Sequence, residues 1–369
     1  MKVDKTKWEY KKLGDICQIQ TGKLDANAKV ENGQYPFFTC DYKPYRIDKY
    51  AFDTEAILIS GNGSLVGHVN YYNGKFNAYQ RTYVLTQFKL FYIPYLIIYL
   101  KRNLRPYIIQ NKKGGCIPYI TLPILKNFKI LYPSLYEQRD IAAELDAVQK
   151  MIEGYKAQLA DLDTLAQSIF LDMFGDPITN PKGWEKTKLS AEGTIIGGAT
   201  PRTDNLSNWD NGIYYWITPA ELNGNRYYGS TRKTITDVAV KNTHLTLLPI
   251  GTVLLSSRAP IGKVGITTQA IYCNQGFKNI ICGPNLNNEY LYQYLLFNTE
   301  ELNRRGNGVT FKEISKKIVE EFPLILPPLP LQQQFAERVE AIERQKELLQ
   351  AQLAEAQTLM AERMQYYFD

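Results

Sequence analysis

The chain has 369 residues, 43 Lys+Arg against 37 Asp+Glu for a net charge of +6, and 44% hydrophobic residues. That length is too great for one ordinary domain, and the composition is that of a folded, water-soluble protein. The longest apolar run, Leu90 to Leu100, is too short to span a bilayer and contains Pro94, and no signal peptide is recognised; with five cysteines, an odd count without metal spacing, a bacterial or archaeal cytoplasmic location is expected.

The first block, residues 1–133, opens with Trp8, Leu13 and Gly22 and carries a net charge of +11. Within it "AILISGNGSLVGHVNYY" reads as two paired strands around glycine turns. "IPYLIIYLKRNL" reads as a helix, and Asn111-Lys112-Lys113-Gly114-Gly115 as a basic loop after it. Residues 134–176 follow, with a net charge of −6. Here Ile141, Leu145, Val148, Ile152, Tyr155, Leu159, Leu162, Ala166, Ile169 and Met173 recur at alternating gaps of four and three. This is a heptad line, the spacing of a long helix that lays one seam against a partner. A helix of about 38 residues at roughly 1.5 Å each makes a rod of roughly 57 Å.

Residues 177–330, net +4, repeat the first block. Trp184, Leu189 and Gly198 match Trp8, Leu13 and Gly22; Gly262, Val264 and Gln275 match Gly67, Val69 and Gln80. About 19 residues have been added between Gly198 and Gly262. "GTVLLSSRAPIGKVGITT" reads as a second strand pair, "NEYLYQYLLFNTEEL" as a helix, and Arg304-Arg305-Gly306-Asn307-Gly308 as a second basic loop. Residues 331–369, net −3, return to the heptad line with Phe335, Val339, Ile342, Leu349, Leu353, Ala356, Met360 and Tyr367. Lys346 and Arg363 occupy two seam positions. They face either a partner subunit or the acidic residues of the other helix. The chain is thus a tandem repeat of block plus rod. Whether the rods pair within one chain or between two chains is left open by the sequence.

Catalytic chemistry is sparse. His68 and His244 have no carboxylate or cysteine at a recognisable ligand or triad spacing, and five cysteines form no C-x-x-C pair, which points to reduced thiols. Gly61-Asn62-Gly63 lacks a P-loop or dinucleotide-binding continuation. Binding chemistry is plentiful. Basic blocks suit a polyanion, acidic rods stand away from it, and 27 tyrosines are interleaved with Lys, Arg and Asn. Lysine and arginine neutralise phosphates, while Asn and Arg read base edges. The candidate DNA-contacting residues are Lys23, Tyr42, Lys43, Asn62, Ser64, Arg81, Lys112 and Lys113 in the first block. In the second they are Arg202, Arg258, Lys263, Lys278, Arg304 and Arg305.

The order of a basic block, "PSLYEQRDIA", a second block with "GGATPRTD", "NWDNGIYYWITPAEL" and "SSRAPIGKV", then "PPLPLQQQFAERV", resembles the specificity subunits of type I restriction–modification systems across essentially the whole chain. That resemblance implies an α+β molecule: two α/β target recognition domains separated by two long antiparallel helices forming a coiled coil, in a pseudo-twofold tandem repeat. It implies that each domain reads half of a bipartite, asymmetric double-stranded DNA target and that the helices set the spacing. It further implies two methyltransferase subunits and the restriction (translocase/nuclease) subunits as partners, with no catalytic residues and no metal here. S-adenosylmethionine, ATP and magnesium would belong to those partners. A free-standing DNA-binding regulator of the same tandem geometry is the alternative reading.

Overall fold

The computed structural model describes residues 4–111, 118–306 and 312–369. Lys112 and Lys113 lie outside the described residues. Two uninterrupted helices of 40 residues each, Leu135–Phe174 and Leu329–Phe368, dominate the secondary structure. The first begins with a capping box, Ser134 Oγ and Glu137 Oε2 2.8 Å apart, and ends at Gly175, whose positive φ of 78° accommodates the chain reversal. By contacts the chain forms two compact units, residues 1–154 with 352–369, and residues 155–351.

In the first unit a six-stranded sheet has the order Gln18–Thr21, Thr82–Thr86, Phe52–Ser60, Val69–Ala78, Tyr35–Phe38, Tyr45–Ile47. Phe52–Ser60 and Val69–Ala78 pair antiparallel from Phe52↔Phe76 to Ile59↔Val69, as the glycine-turn reading expects. The helix after them runs Ile93–Asn111 and includes Pro106. Its buried face, Tyr95, Leu96, Tyr99, Leu100 and Leu104, shares one core with Ile141 and Leu145 of the first long helix and Tyr367 and Phe368 of the second.

The second unit divides its strands among a five-stranded sheet, with Val264–Thr267 beside Tyr227–Tyr228 at one edge, a three-stranded sheet centred on Tyr214–Ile217, and the antiparallel pair Glu185–Lys188 with Pro323–Leu326. The expected single helix is two, Asn288–Phe297 and Thr299–Arg305, joined at Asn298. Asn298 Nδ2 turns back to donate to the Tyr294 carbonyl at 2.8 Å, an example of a side-chain amide competing with the helix ladder. The added residues do not sit in one place. Most fall between Tyr214–Ile217 and Lys233–Ile235, where Tyr227–Tyr228 arises, and around the helix Asp237–Thr243.

The repeat read from sequence is a repeat of contacts. Gln138 and Gln332 are fully buried. Each accepts a backbone N–H at the start of its unit's helix, from Tyr92 (2.8 Å) and Asn287 (2.9 Å). Each also donates to a proline carbonyl, that of Pro133 (2.9 Å) or Pro327 (2.7 Å). These are paired buried polar groups, each satisfying a helix-terminal donor. Tyr95 and Tyr290 likewise donate to the carbonyls of Leu131 (3.0 Å) and Ile325 (2.8 Å).

Within each unit the long helices run antiparallel. In the second, Lys346 Nζ lies 2.8 Å from Asp163 Oδ1 while Phe170 packs on Phe335. In the first, Arg363 Nε lies 2.9 Å from Glu144 Oε1. Both basic seam residues therefore face the acids of the other helix. Ile141, Leu145, Val148, Ile152, Phe335, Val339, Ile342 and Leu349 are buried as expected, and Leu353 and Met360 partly so. Ile169 is partly buried and packs against the second unit's core, while its neighbours Phe170 and Phe174 are fully buried there. A helix of 3.6 residues per turn drifts off a strict 3.5 line, and here the drift turns the aromatic rings into the second unit's core. Leu159 and Leu162 belong to neither core and stay half-buried.

Candidate nucleic-acid interface

In the first unit four turns meet at one rim of the sheet. Gly22 N donates to the Thr82 carbonyl (3.3 Å), Gly61 N to the Arg81 carbonyl (2.9 Å), Tyr79 N to the Phe38 carbonyl (2.9 Å) and Gln80 N to the Leu24 carbonyl (2.8 Å). A side chain on Gly22 would collide with the Ala78 carbonyl at 1.9 Å, so only glycine permits this approach. Tyr119 adds a fifth segment through an isolated bridge to Asn62. The turn Gly61–Gly67 carries two glycines in the left-handed region, Gly63 (φ 81°) and Gly67 (φ 83°).

The first-unit candidates within the described residues fall on this rim. Lys23, Tyr42, Lys43, Ser64 and Arg81 are exposed and Asn62 is half-buried. Tyr42, 62% exposed, stands edge-on to His68 at 5.1 Å, which ties its loop to the glycine turn. Ser64 contributes its carbonyl to Arg105 Nη2 (3.2 Å). The rim's acids are engaged by neutral donors: Asp41 accepts from Tyr45 Oη (2.8 Å) and Asp25 from Gln80 Nε2 (3.3 Å). The Tyr45 hydroxyl holds the Asp41 carboxyl below its ordinary value. Among the described residues, Lys23, Lys43 and Arg81 have no ion-pair partner.

The second unit builds the same rim. Ala199 N donates to the Cys273 carbonyl (3.1 Å), Asn274 N to Ile217 (3.1 Å) and Ser257 N to Gly276 (2.7 Å). Gly262 (φ 88°) repeats Gly67. Arg258 makes an isolated bridge to Glu313, as Asn62 does to Tyr119. The expected equivalence of the Asn62 and Arg258 turns is thus visible in the backbone.

The side chains differ. Arg202 is exposed and pairs with Asp204 at 2.9 Å, which lowers the Asp204 carboxyl. Arg258 Nε lies 3.0 Å from Glu313 Oε2, and Lys278 Nζ lies 3.5 Å from the other oxygen of the same carboxylate. Lys263 is half-buried and donates to the carbonyl of Leu222 at 2.8 Å, so its ammonium fastens the preceding loop. Arg304 and Arg305 both pair with Glu301 on their own helix, the latter at 2.7 Å, and Arg305 also covers the Phe322 ring at 5.1 Å. Those two guanidiniums hold the Glu301 carboxyl low, Arg305 through its hydrogen bond first.

Sequence reading missed Tyr119, Glu313 and the buried Arg226. Only Glu301 and Asp204 had a signal, being within a helical turn or two residues of their arginines; Glu313 comes from 55 residues beyond Arg258. Among the described residues no group of three or more His, Cys, Asp or Glu is placed to hold a metal ion. Among the described residues, no helix is long and apolar enough to cross a membrane.

A family model described as "Type I restriction modification DNA specificity domain" matches twice, over residues 5–162 and 181–358. The chain is 29% identical over 369 residues to the type I restriction enzyme EcoDI specificity subunit of Escherichia coli, covering 91% of this chain and 81% of that one. It is 38% identical over 160 residues to the MjaIX specificity subunit of Methanocaldococcus jannaschii, covering 42% and 37%. Among solved structures, the type I restriction–modification S subunit from M. genitalium aligns at a TM-score of 0.64 and 16% identity, covering 99% of this chain and 97% of that chain. A chain from a structural study of complex assembly and conformational transition of the type I R-M system aligns at 0.59 and 20%, covering 98% and 97%.

Proposed function

Because the chain belongs to the family of type I restriction–modification DNA specificity subunits, we propose that its two rims are the two readers of a bipartite DNA target. The carrying observation is that both rims are built from the same backbone contacts but present different side chains. A shared backbone supports a shared mode of docking on a duplex; different side chains support two different half-sites, hence an asymmetric target. Exposed Lys23, Lys43 and Arg81 supply phosphate contacts in the first unit, and Asn62 and Tyr42 stand beside them for base edges. In the second unit Arg258 and Arg202 take those roles once DNA phosphates compete for them with Glu313 and Asp204.

The long helices serve as the spacing element and as the docking surface for methyltransferase subunits, with restriction subunits joining that assembly. S-adenosylmethionine, ATP and magnesium chemistry belongs to those partners. The relatives named above are specificity subunits, not free-standing regulators. The test is a footprint on methylation-mapped target DNA with methyltransferase subunits present. Two protected patches separated by an unprotected spacer are expected, with no methylation or cutting by the chain alone. A single continuous patch, or full-strength site-specific binding without partners, contradicts the reading.

A further inference from the structure

Among the described residues, the second unit contains a strand that the first lacks, and the first leaves its place open. In the second unit, Ile266 N donates to the Arg226 carbonyl (2.8 Å) and Thr268 N to the Tyr228 carbonyl (2.9 Å), so Tyr227–Tyr228 adds parallel to Val264–Thr267. Arg226, 6% exposed, enters beside the helix Asn288–Phe297 and the second long helix. There it pairs with Glu289 (2.9 Å) and Glu343 (3.2 Å) and covers the Tyr292 ring at 4.2 Å.

The matching strand of the first unit is Val69–Ala78. Gly67 aligns with Gly262, so Tyr71 stands for Ile266 and Asn73 for Thr268, and their N–H groups take the direction of the two that bind the extra strand. One edge of Val69–Ala78 pairs with Phe52–Ser60; along the other, among the described residues, pairing begins only at Asn77, opposite Phe37. Tyr71 and Asn73 are exposed. Beside this edge lies a groove of 1140 Å³ that includes Tyr71, Tyr92, Ile97, Ile98 and Met364. The residues that receive Arg226 have changed: Pro94 replaces Glu289, Ile97 replaces Tyr292, Ile98 replaces Gln293 and Gln149 replaces Glu343. A guanidinium here would be buried without a carboxylate, whereas an apolar side chain would be buried among its like. Glu55, Asp146 and Glu153 line the same groove with Lys101. Asp146 pairs with Lys150 at 2.7 Å, while among the described residues Glu55 and Glu153 accept only from the neutral Tyr71 and Gln149 side chains and favour a further cation at the groove's margin.

We propose that this groove and strand edge of the first unit receive an extended segment of a partner protein, by strand addition parallel to Val69–Asn73. The segment carries a large apolar residue at the position Arg226 holds in the second unit, with a basic residue nearby. An unpaired strand edge is a template for such addition, with main-chain hydrogen bonds giving affinity and the pocket giving selectivity. The inference is independent of the DNA-reading proposal.

The probe is a synthetic peptide copying residues 222–232 of this chain with Arg226→Leu; its natural Arg232 supplies the basic residue. Added to the full chain, it is expected to slow amide exchange at Tyr71 and Asn73 at least tenfold, and the unaltered Arg226 peptide is expected to bind at least tenfold more weakly. Ile98→Asp should abolish the protection. Gln149→Glu, on an exposed position, should move the preference towards the Arg226 peptide without disturbing folding. Absence of protection, equal binding of the two peptides, or indifference to Gln149→Glu would overturn the proposal. Protection of these amides that rises with protein concentration alone would identify a second copy of the chain as the occupant and also overturn it.

Discussion

The two rims share a backbone and differ in how their positive charge is held. In the first unit Lys23, Lys43 and Arg81 stand in solvent without ion-pair partners among the described residues, while nearby Asp25 and Asp41 accept from neutral donors. In the second, Arg202, Arg258 and Arg304 each have a carboxylate, and Lys263 is spent on a backbone carbonyl. A count of basic residues therefore overstates what the second rim offers a polyanion. The first rim is expected to dominate the sequence-independent, salt-sensitive part of DNA affinity, and the second to contribute more through choice of bases.

The contrast between the units is sharpest at Arg226. Replacing it with methionine leaves the buried Glu289 with no cation and Glu343 with Lys346 alone, 3.1 Å away, and should destabilise the second unit by about 3–5 kcal/mol, read from denaturant unfolding. Ile97→Met, at the first unit's counterpart of Tyr292, the ring that Arg226 covers, should cost under about 1.5 kcal/mol. Equal losses would erase the distinction between a charged joint and an apolar one.

Next in size is the seam. Phe170→Ala removes a fully buried ring that packs on Phe174, Tyr290 and Phe335, and should cost about 3–5 kcal/mol. Leu159→Ala, at a half-buried position outside both cores, should cost clearly less by the same denaturant measurement. If Leu159 were the costlier residue, the heptad line and not the drifted one would describe the packing.

The rims themselves give a smaller effect. Arg81→Ala should lower DNA affinity similarly on all sequences and reduce the slope of log affinity against log salt by about one. Glu313→Gln, by releasing Arg258 and Lys278, should raise affinity and steepen that slope. A loss on Glu313→Gln would mean that the carboxylate positions Arg258 for reading and does not merely neutralise it.

The smallest is a pH effect. Burial holds the Glu289 carboxyl above its ordinary value of 4.5, against the opposing pull of Arg226 and Tyr227. The folded unit then binds that proton more tightly than the unfolded chain does. Its contribution to stability is present in full below the unfolded value and is lost as pH rises through the raised one. Relative to Glu289→Gln, the natural chain should therefore lose stability as pH is raised from 4.5 towards neutrality; a difference that does not vary with pH would contradict the assignment.

Much of this was legible in the amino-acid sequence for a physical reason: period and repetition survive in one dimension. The four-three spacing gave both long helices, and the Trp8/Trp184 and Gly67/Gly262 matches gave the repeat of turns. Exposure of Lys23, Lys43, Arg81 and Arg258 followed from loop placement. What was not legible depends on residues distant in the chain meeting in space. Glu313 silences part of Arg258, Lys263 turns inward to Leu222, and the drift from Ile169 to Phe170 is set by the aromatic core it reaches. Tyr227–Tyr228 is too short a strand to carry a periodic signal.

The central claim is that two equivalent rims read two separate half-sites. Its most direct test replaces residues 8–133 with the corresponding block of a relative whose target differs, and maps methylated DNA by sequencing with the methyltransferase subunits present. One half of the target should change while the other half stays as it was. A change of the whole target, or no change at all, would contradict the account.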